Sequence, residues 1–154
     1  MKKNKSNDLT IICAPFSVGG PDFEASDGPE VLLKSGLSAD LKELGFKVKL
    51  VAPEKELLEE VHGFMKKKIT YPKDKIKNLD LILKINNWLS KQVYDEVIAG
   101  SIPITLGGDH SLAIGTISGI CDGVNALAHG LAGLSSQETI GVLWIDRHLD
   151  AHSP

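Results

Sequence analysis

The sequence predicts an α/β protein in which helices cover both faces of a mainly parallel sheet, a three-layer α/β/α arrangement. Two patterns carry that expectation. Short apolar runs at residues 9–14, 46–52, 102–106 and 141–145 alternate with stretches of helical periodicity, as strands and crossover helices do. A glycine-rich segment follows the third run and a charged segment the fourth. Both therefore fall at the carboxyl ends of strands, where open parallel sheets collect their ligands.

Each element has its own signals. Residues 9–14 are apolar and β-rich, and Pro15, Gly19, Gly20, Pro21, Asp27 and Gly28 mark a long loop behind them. Pro29 suits a first helical position, and Val31, Leu32, Leu33, Leu37 and Leu41 supply an apolar face interrupted near Gly36, so one broken helix or two short ones are expected. Gly45 is a helix stop, after which Phe46, Val48, Leu50 and Ala52 alternate with Lys47, Lys49 and Val51 as a half-wet strand would. Residues 54–68 are helical but polar and are expected at the periphery. Ile76, Leu79, Ile82, Leu83, Ile85, Leu89, Val93 and Val97 recur at helical spacing until Gly100, predicting a long helix on the sheet. After the strand at 102–106, Gly107-Gly108 forms a tight turn, and residues 111–120 form a helix of small side chains able to approach the sheet closely. Residues 121–139 are expected as a helix and a loop, and 141–145 as a continuous buried strand.

The 154 residues are the size of one domain, with a formal net charge of −3. Basic residues are dispersed except at Lys66, Lys67 and Lys68, which read as a solvated helix end, so nucleic acid is a poor partner. The charged N-terminus precedes an apolar stretch too short for a signal sequence, and no apolar run approaches the roughly 20 residues of a membrane span. The cytoplasm is the expected compartment, with no membrane partner. Cys13 and Cys121 lie far apart, outside any CxxC or Cys/His pattern, and are expected as buried free thiols.

The chemistry lies in two segments. In Thr105-Leu106-Gly107-Gly108-Asp109-His110-Ser111 the glycines turn the backbone sharply out of a strand and leave Asp109 and His110 at its tip. Alone this is a weak signal, more often that of a helix cap or a surface histidine than of a metal ligand. In Asp146-Arg147-His148-Leu149-Asp150 the alternation is more telling. Extended geometry projects every second side chain to one side, roughly 6–7 Å apart, so carboxylate, imidazole and carboxylate can face one cavity. Left unpaired after a buried strand, such groups repel one another and lose solvation, and a cation compensates. An exposed polar turn with incidental acids is the plain alternative. Oxygen-rich ligation with some imidazole favours manganese or a similar hard divalent ion, and paired ions can activate water for hydrolysis.

Read in order, Ile12-Cys13-Ala14-Pro15-Phe16-Ser17, Asp27-Gly28-Pro29, Ser35-Gly36-Leu37, LGGDHSLAIGTISG ending at Gly119 and WIDRHLDAHSP ending at Pro154 resemble arginases across nearly the whole chain. The residues after His110 are more similar to arginase than to agmatinase. The resemblance implies an arginase-like fold and two Mn2+ ions, with His110 and Asp150 serving one metal, His148 the other and Asp146 bridging both. It makes Asp146 and Asp150 the candidate catalytic carboxylates and His152 a candidate for the amino-acid end of the substrate. It implies hydrolysis of L-arginine to L-ornithine and urea by a metal-bridging hydroxide, and a homo-oligomer, trimer or hexamer. Agmatinase or another guanidino hydrolase is the alternative within enzymes, and a non-catalytic vestigial or interaction module the alternative outside them.

Two departures from the family's pattern stand out. Arginases run to about twice this length and complete their metal site with a later DxD motif, so residues 9–154 are expected to form the N-terminal part of a single domain, incomplete at its C-terminus and inactive alone, behind a flexible tail at 1–8. That expectation includes an unpaired sheet edge and uncovered apolar surface. The second departure is Arg147, the only arginine in the sequence, where the family carries a small residue, usually alanine. Alternation turns it away from the metals into the packing beneath, where an unpaired guanidinium is costly unless it snorkels or finds a carboxylate. Replacing Arg147 by alanine in a chain of the family's full length is expected to tighten manganese binding; affinity and activity both unchanged would show that the arginine does not weaken the site.

Overall fold

A computed structural model describes residues 7–20, 24–65 and 78–130, together with Gly141, Leu143 and Ile145. Three parallel strands form one sheet in the order β2-β1-β3, with β1 spanning Asp8–Ala14, β2 Lys47–Val51 and β3 Ile102–Gly107. Leu9 pairs with Val48 on one side and Ile102 on the other, and Ile12 with Val51 and Thr105. β1 is thus the central strand, covered on both faces, which is why its apolar run is continuous rather than alternating.

The period-two geometry of β1 divides its side chains between two cores. Leu9 and Ile11, with Leu106, pack beneath Leu33, Leu37, Leu41 and Phe46, the side of α1 (Gly28–Lys34) and α2 (Leu37–Glu43). Ile12 and Ala14 face Leu57 and Val61 of α3 (Lys55–Met65) and Leu81, Ile85, Leu89 and Val93 of α4 (Leu79–Ile98). The three-layer α/β/α arrangement is therefore present. The helical stretch interrupted near Gly36 resolves into two short helices, and the stops at Gly45 and Gly100 lie at φ +91° and +79°, the left-handed region that glycine enters without strain.

Several expectations are corrected. α3 is not peripheral: Leu57 and Val61, one turn apart, are buried in the main core, and Leu58 and Phe64 pack against it. Val31 and Leu32 leave the apolar face of α1 and are 61% and 45% exposed. The small-residue helix α5 (Ala113–Gly130) is longer than expected and turns its glycines to α4 rather than to the sheet. A Cβ on Gly115, Gly119 or Gly123 would lie 2.7, 2.4 or 2.7 Å from Asn86, Ser90 or Val97, so only glycine lets the two backbones approach this closely. Asn86 fastens the crossing, its Oδ1 accepting from the Gly115 N–H at 2.6 Å while its Nδ2 donates to the Ile82 carbonyl. Cys121, two residues from Gly119 and Gly123, faces outward on α5 and is exposed, whereas Cys13 is half-buried and burial pushes its thiol pKa up.

By length and composition the stretch His110–Ala128 is apolar enough to cross a membrane, contrary to the sequence expectation, and its glycines at 115, 119 and 123 seat it on α4. Of the expected strand at 141–145, the described residues Gly141, Leu143 and Ile145 are outside any strand, and Leu143 and Ile145 are each 87% exposed. An apolar run needs a ladder partner to become a strand, and among the described residues β3 pairs on one side only, with Ile102, Ile114 and Ile117 exposed nearby.

At the amino end of the sheet a polar network crosses the main core. Thr10 donates to Glu96 Oε2 at 2.6 Å, and Lys49 of the edge strand reaches Glu96 Oε1 at 2.6 Å. Because the single Thr10 proton is committed to Glu96, Ser101 must donate across the 2.9 Å contact to Thr10. Burial pushes the Glu96 carboxyl up, but the hydrogen bonds from Lys49 and Thr10 and the Lys49 charge outweigh it and hold the pKa below the ordinary value. A depressed folded pKa adds stability that is complete above the unfolded carboxyl range and is lost as pH falls through the folded value. Glu96→Gln is expected to lower stability at neutral pH by about 1–3 kcal/mol, read from urea unfolding midpoints, with the gap to the parent protein closing in acid as Glu96 itself takes up a proton.

Candidate metal-site loops at the carboxyl end of the sheet

The chain leaves β1 toward α1 on one face and leaves β3 toward α5 on the other, which makes the crevice between their carboxyl ends a topological switch point. The loop after β1 does not stay on the surface. Phe16, Ser17 and Val18 are almost completely buried, and Phe16 meets Trp88 of α4 edge to face, centroids 6.1 Å apart at 86°. The Trp88 Nε1 is buried without a hydrogen bond among the described residues. Asn78, just before α4, donates from Nδ2 to the Val18 carbonyl.

The loop after β3 rests directly on this platform. The Asp109 N–H donates to the Phe16 carbonyl at 3.3 Å, and a Cβ on Gly108 would sit 2.5 Å from that same oxygen. Glycine at 108 is thus required by contact between two backbones, its own φ lying outside the left-handed region. Asp109 then uses both carboxylate oxygens: Oδ2 accepts from the N–H groups of Gly19 at 2.7 Å and Gly20 at 3.1 Å, and Oδ1 accepts from the Ser111 N–H at 2.8 Å. The last of these caps the short 3-10 turn His110–Leu112 that leads into α5. His110 is the first residue of that turn, exposed at the carboxyl end of β3.

His110 is therefore where a ligand-facing donor of a parallel sheet belongs. Asp146, His148 and Asp150, the candidate substrate-binding His152, and Arg147 lie outside the described residues. Among the described residues no group of three His, Cys, Asp or Glu side chains is placed to hold a metal. Asp109, which the sequence left as a neighbour of His110 at the tip, emerges as the residue that joins the two loops. Its cap to Ser111 was visible in the Asp-x-Ser spacing; its bonds to Gly19 and Gly20, 90 and 89 positions away, were not. A separate cavity of about 550 Å3 opens over the carboxyl ends of β1 and β2, lined among others by Cys13, Asp27, Pro29, Leu58 and His62; His110 is not part of its wall.

These features define an α/β protein with a candidate ligand site at the β1/β3 switch point. The sequence pattern of the Arginase family matches residues 7–154, and the chain belongs to that family. It is 32% identical over 151 residues to an arginase of Eremothecium gossypii, covering 97% of this chain and 33% of that protein. To Arginase-1 of Homo sapiens it is 35% identical over 152 residues, covering 97% and 40%. Among solved structures, an arginase from Bacillus cereus superposes with a TM-score of 0.59 at 26% identity, over 75% of this chain and 35% of that one. An Entamoeba histolytica arginase crystallised with L-ornithine shares the fold, with a TM-score of 0.57 at 22% identity over 77% and 36% of the two chains. The chain thus spans about a third to two-fifths of the length of these relatives.

Gly108→Ala is expected to cost about 1–3 kcal/mol, since the Phe16 backbone cannot rotate away as a flexible side chain would. Thermal unfolding checks it: a melting temperature equal to the parent's would mean the two loops are not in backbone contact.

Proposed function

We propose that the chain contributes to manganese-dependent hydrolysis of a guanidino compound, L-arginine, to L-ornithine and urea. The observation that carries the reading is the family match over residues 7–154, within which His110 stands at the carboxyl end of β3, a parallel strand beside the central β1. Eight curated relatives are named arginases, from fungi, bacteria and mammals, which favours arginine over agmatine as substrate. In this reading His110, Asp146, His148 and Asp150 hold the ions, Asp146 and Asp150 are the catalytic carboxylates, and His152 meets the amino-acid end of the substrate. Bound manganese would supply activated water and stabilise charge developing on the substrate.

The residues of this chain have distinct tasks. Asp146 and Asp150 bring negative charge that balances the cations, and the imidazoles of His110 and His148 act as neutral donors, so proton binding at either competes with the metal. The fold presents His110 from β3 while its supporting loop is buried and hydrogen-bonded, so the donor rests on a rigid base. The proposed setting is the cytoplasm, and the proposed assembly a homo-oligomer, trimeric or hexameric. With four donors for two ions, the 154 residues alone are proposed to bind manganese weakly and to turn over little.

Manganese titration of the 154-residue chain, followed by electron paramagnetic resonance, tests the donor set. His110→Ala is expected to weaken binding by at least the roughly 10–100-fold that loss of a supporting outer-shell group costs. Affinity unchanged in that variant removes His110 from the set. Appreciable manganese-dependent urea release from L-arginine by the 154 residues alone would overturn the proposal that further donors are needed.

A further inference from the structure

We infer that Asp109 is the positioning residue for His110, acting through the neighbouring loop as well as through its helix cap; the link to catalysis rests on His110 being a metal donor. Both carboxylate oxygens are engaged and every partner is a backbone N–H: Ser111 on the one oxygen, Gly19 and Gly20 on the other. Such charge-assisted bonds are about twice as strong as neutral ones. The Asp109 N–H adds a fourth tie, to the Phe16 carbonyl.

The geometry separates two jobs. Bonding Ser111 fixes the direction in which the turn His110–Leu112 departs, a task any small oxygen-bearing side chain performs. Bonding Gly19 and Gly20 fixes where the tip of β3 stands relative to β1, and a serine hydroxyl has no second oxygen to span both. His110 shares a peptide unit with Asp109, so its backbone inherits both constraints. The platform beneath it is itself immobilised, with Val18 held by Asn78 and Phe16 packed on Trp88. A metal donor must be held within about half an ångström of its productive position, which is the precision a carboxylate bonded to two separate loops supplies.

Asp109→Ser distinguishes the jobs, because it keeps a helix cap and removes the tie to Gly19 and Gly20. Nuclear magnetic resonance on the full 154-residue chain is expected to show amide exchange at Gly19 and Gly20 faster by at least tenfold. The His110 side-chain couplings are expected to move toward rotamer-averaged values while helix content stays unchanged. With manganese alone as probe, affinity is expected to fall at least tenfold, and adding His110→Ala to Asp109→Ser is expected to remove little more, since residues acting as one unit are non-additive. His110 couplings equal to the parent's, with Gly19 and Gly20 released, would reduce Asp109 to a helix cap and overturn the inference. Should manganese leave the His110 resonances of the parent protein unbroadened, the metal reading fails, and the couplings still decide the positioning role. Should Asp109→Ser fail to fold, Asp109→Asn, which keeps a single carbonyl oxygen, is read by the same couplings.

Discussion

A buried loop must find a partner for every peptide group it takes out of water, and the segment following β1 imposes that constraint on everything around it. Phe16, Ser17 and Val18 are as deeply buried as the strands. The Phe16 N–H turns back to the Ala14 carbonyl, the Phe16 carbonyl is taken by the Asp109 N–H, and the Val18 carbonyl by Asn78. Asp109 closes the arrangement at Gly19 and Gly20. Elements far apart in sequence are thereby required at one place: the end of β3, the start of α4 and the loop itself. Remove the backbone contact at Gly108 and the partner of the Phe16 carbonyl moves away, leaving a buried acceptor whose desolvation is uncompensated.

The sheet uses its two ends differently. At the amino end, Thr10, Glu96, Lys49 and Ser101 form a network with one ion pair, an arrangement suited to holding β2, β1 and α4 in register. At the carboxyl end a carboxylate of the same kind, Asp109, binds only backbone donors and leaves the adjacent His110 exposed. One carboxylate is satisfied by side chains from two strands and the other by the main chain of two loops. The difference suits the separation of tasks: side-chain pairs fasten secondary structure, whereas main-chain donors fasten loops and leave neighbouring side chains for chemistry.

Much of this was legible in the sequence wherever one local pattern decided the outcome. The continuous apolar run of β1 and the helical spacing from Leu79 to Val97 announced a buried strand and a long packed helix, and Gly36, Gly45 and Gly100 marked the breaks. What escaped depended on the partner. Leu57, Leu58, Val61 and Phe64 are scattered among the charged positions of α3, and only its packing on the main core makes Leu57 and Val61 core residues. The glycines of α5 declared a close approach without saying to what, and the answer is the α4 backbone at Asn86 and Ser90. Cys121 was read as buried from its apolar neighbours, but its face of α5 is opposite the glycine contact. The second half of the candidate site, from Asp146 to His152, lies outside the described residues, so only His110 of that set has a structural setting here.

That division has a physical origin. Alternate side chains of one extended segment can face one cavity, but they advance roughly 6–7 Å per pair, and donors from other strand ends are needed to surround an ion. Donors must converge from several strand ends, and a parallel sheet brings such ends together without their being close in sequence. His110 leaves β3 at position 110, and the run beginning at Asp146 follows the whole of α5. Seated on α4 through Gly115, Gly119 and Gly123, the helix that follows His110 leaves the end of β3 along a fixed direction. A close helix contact thus fixes how the chain departs from the switch point, although it lies away from it.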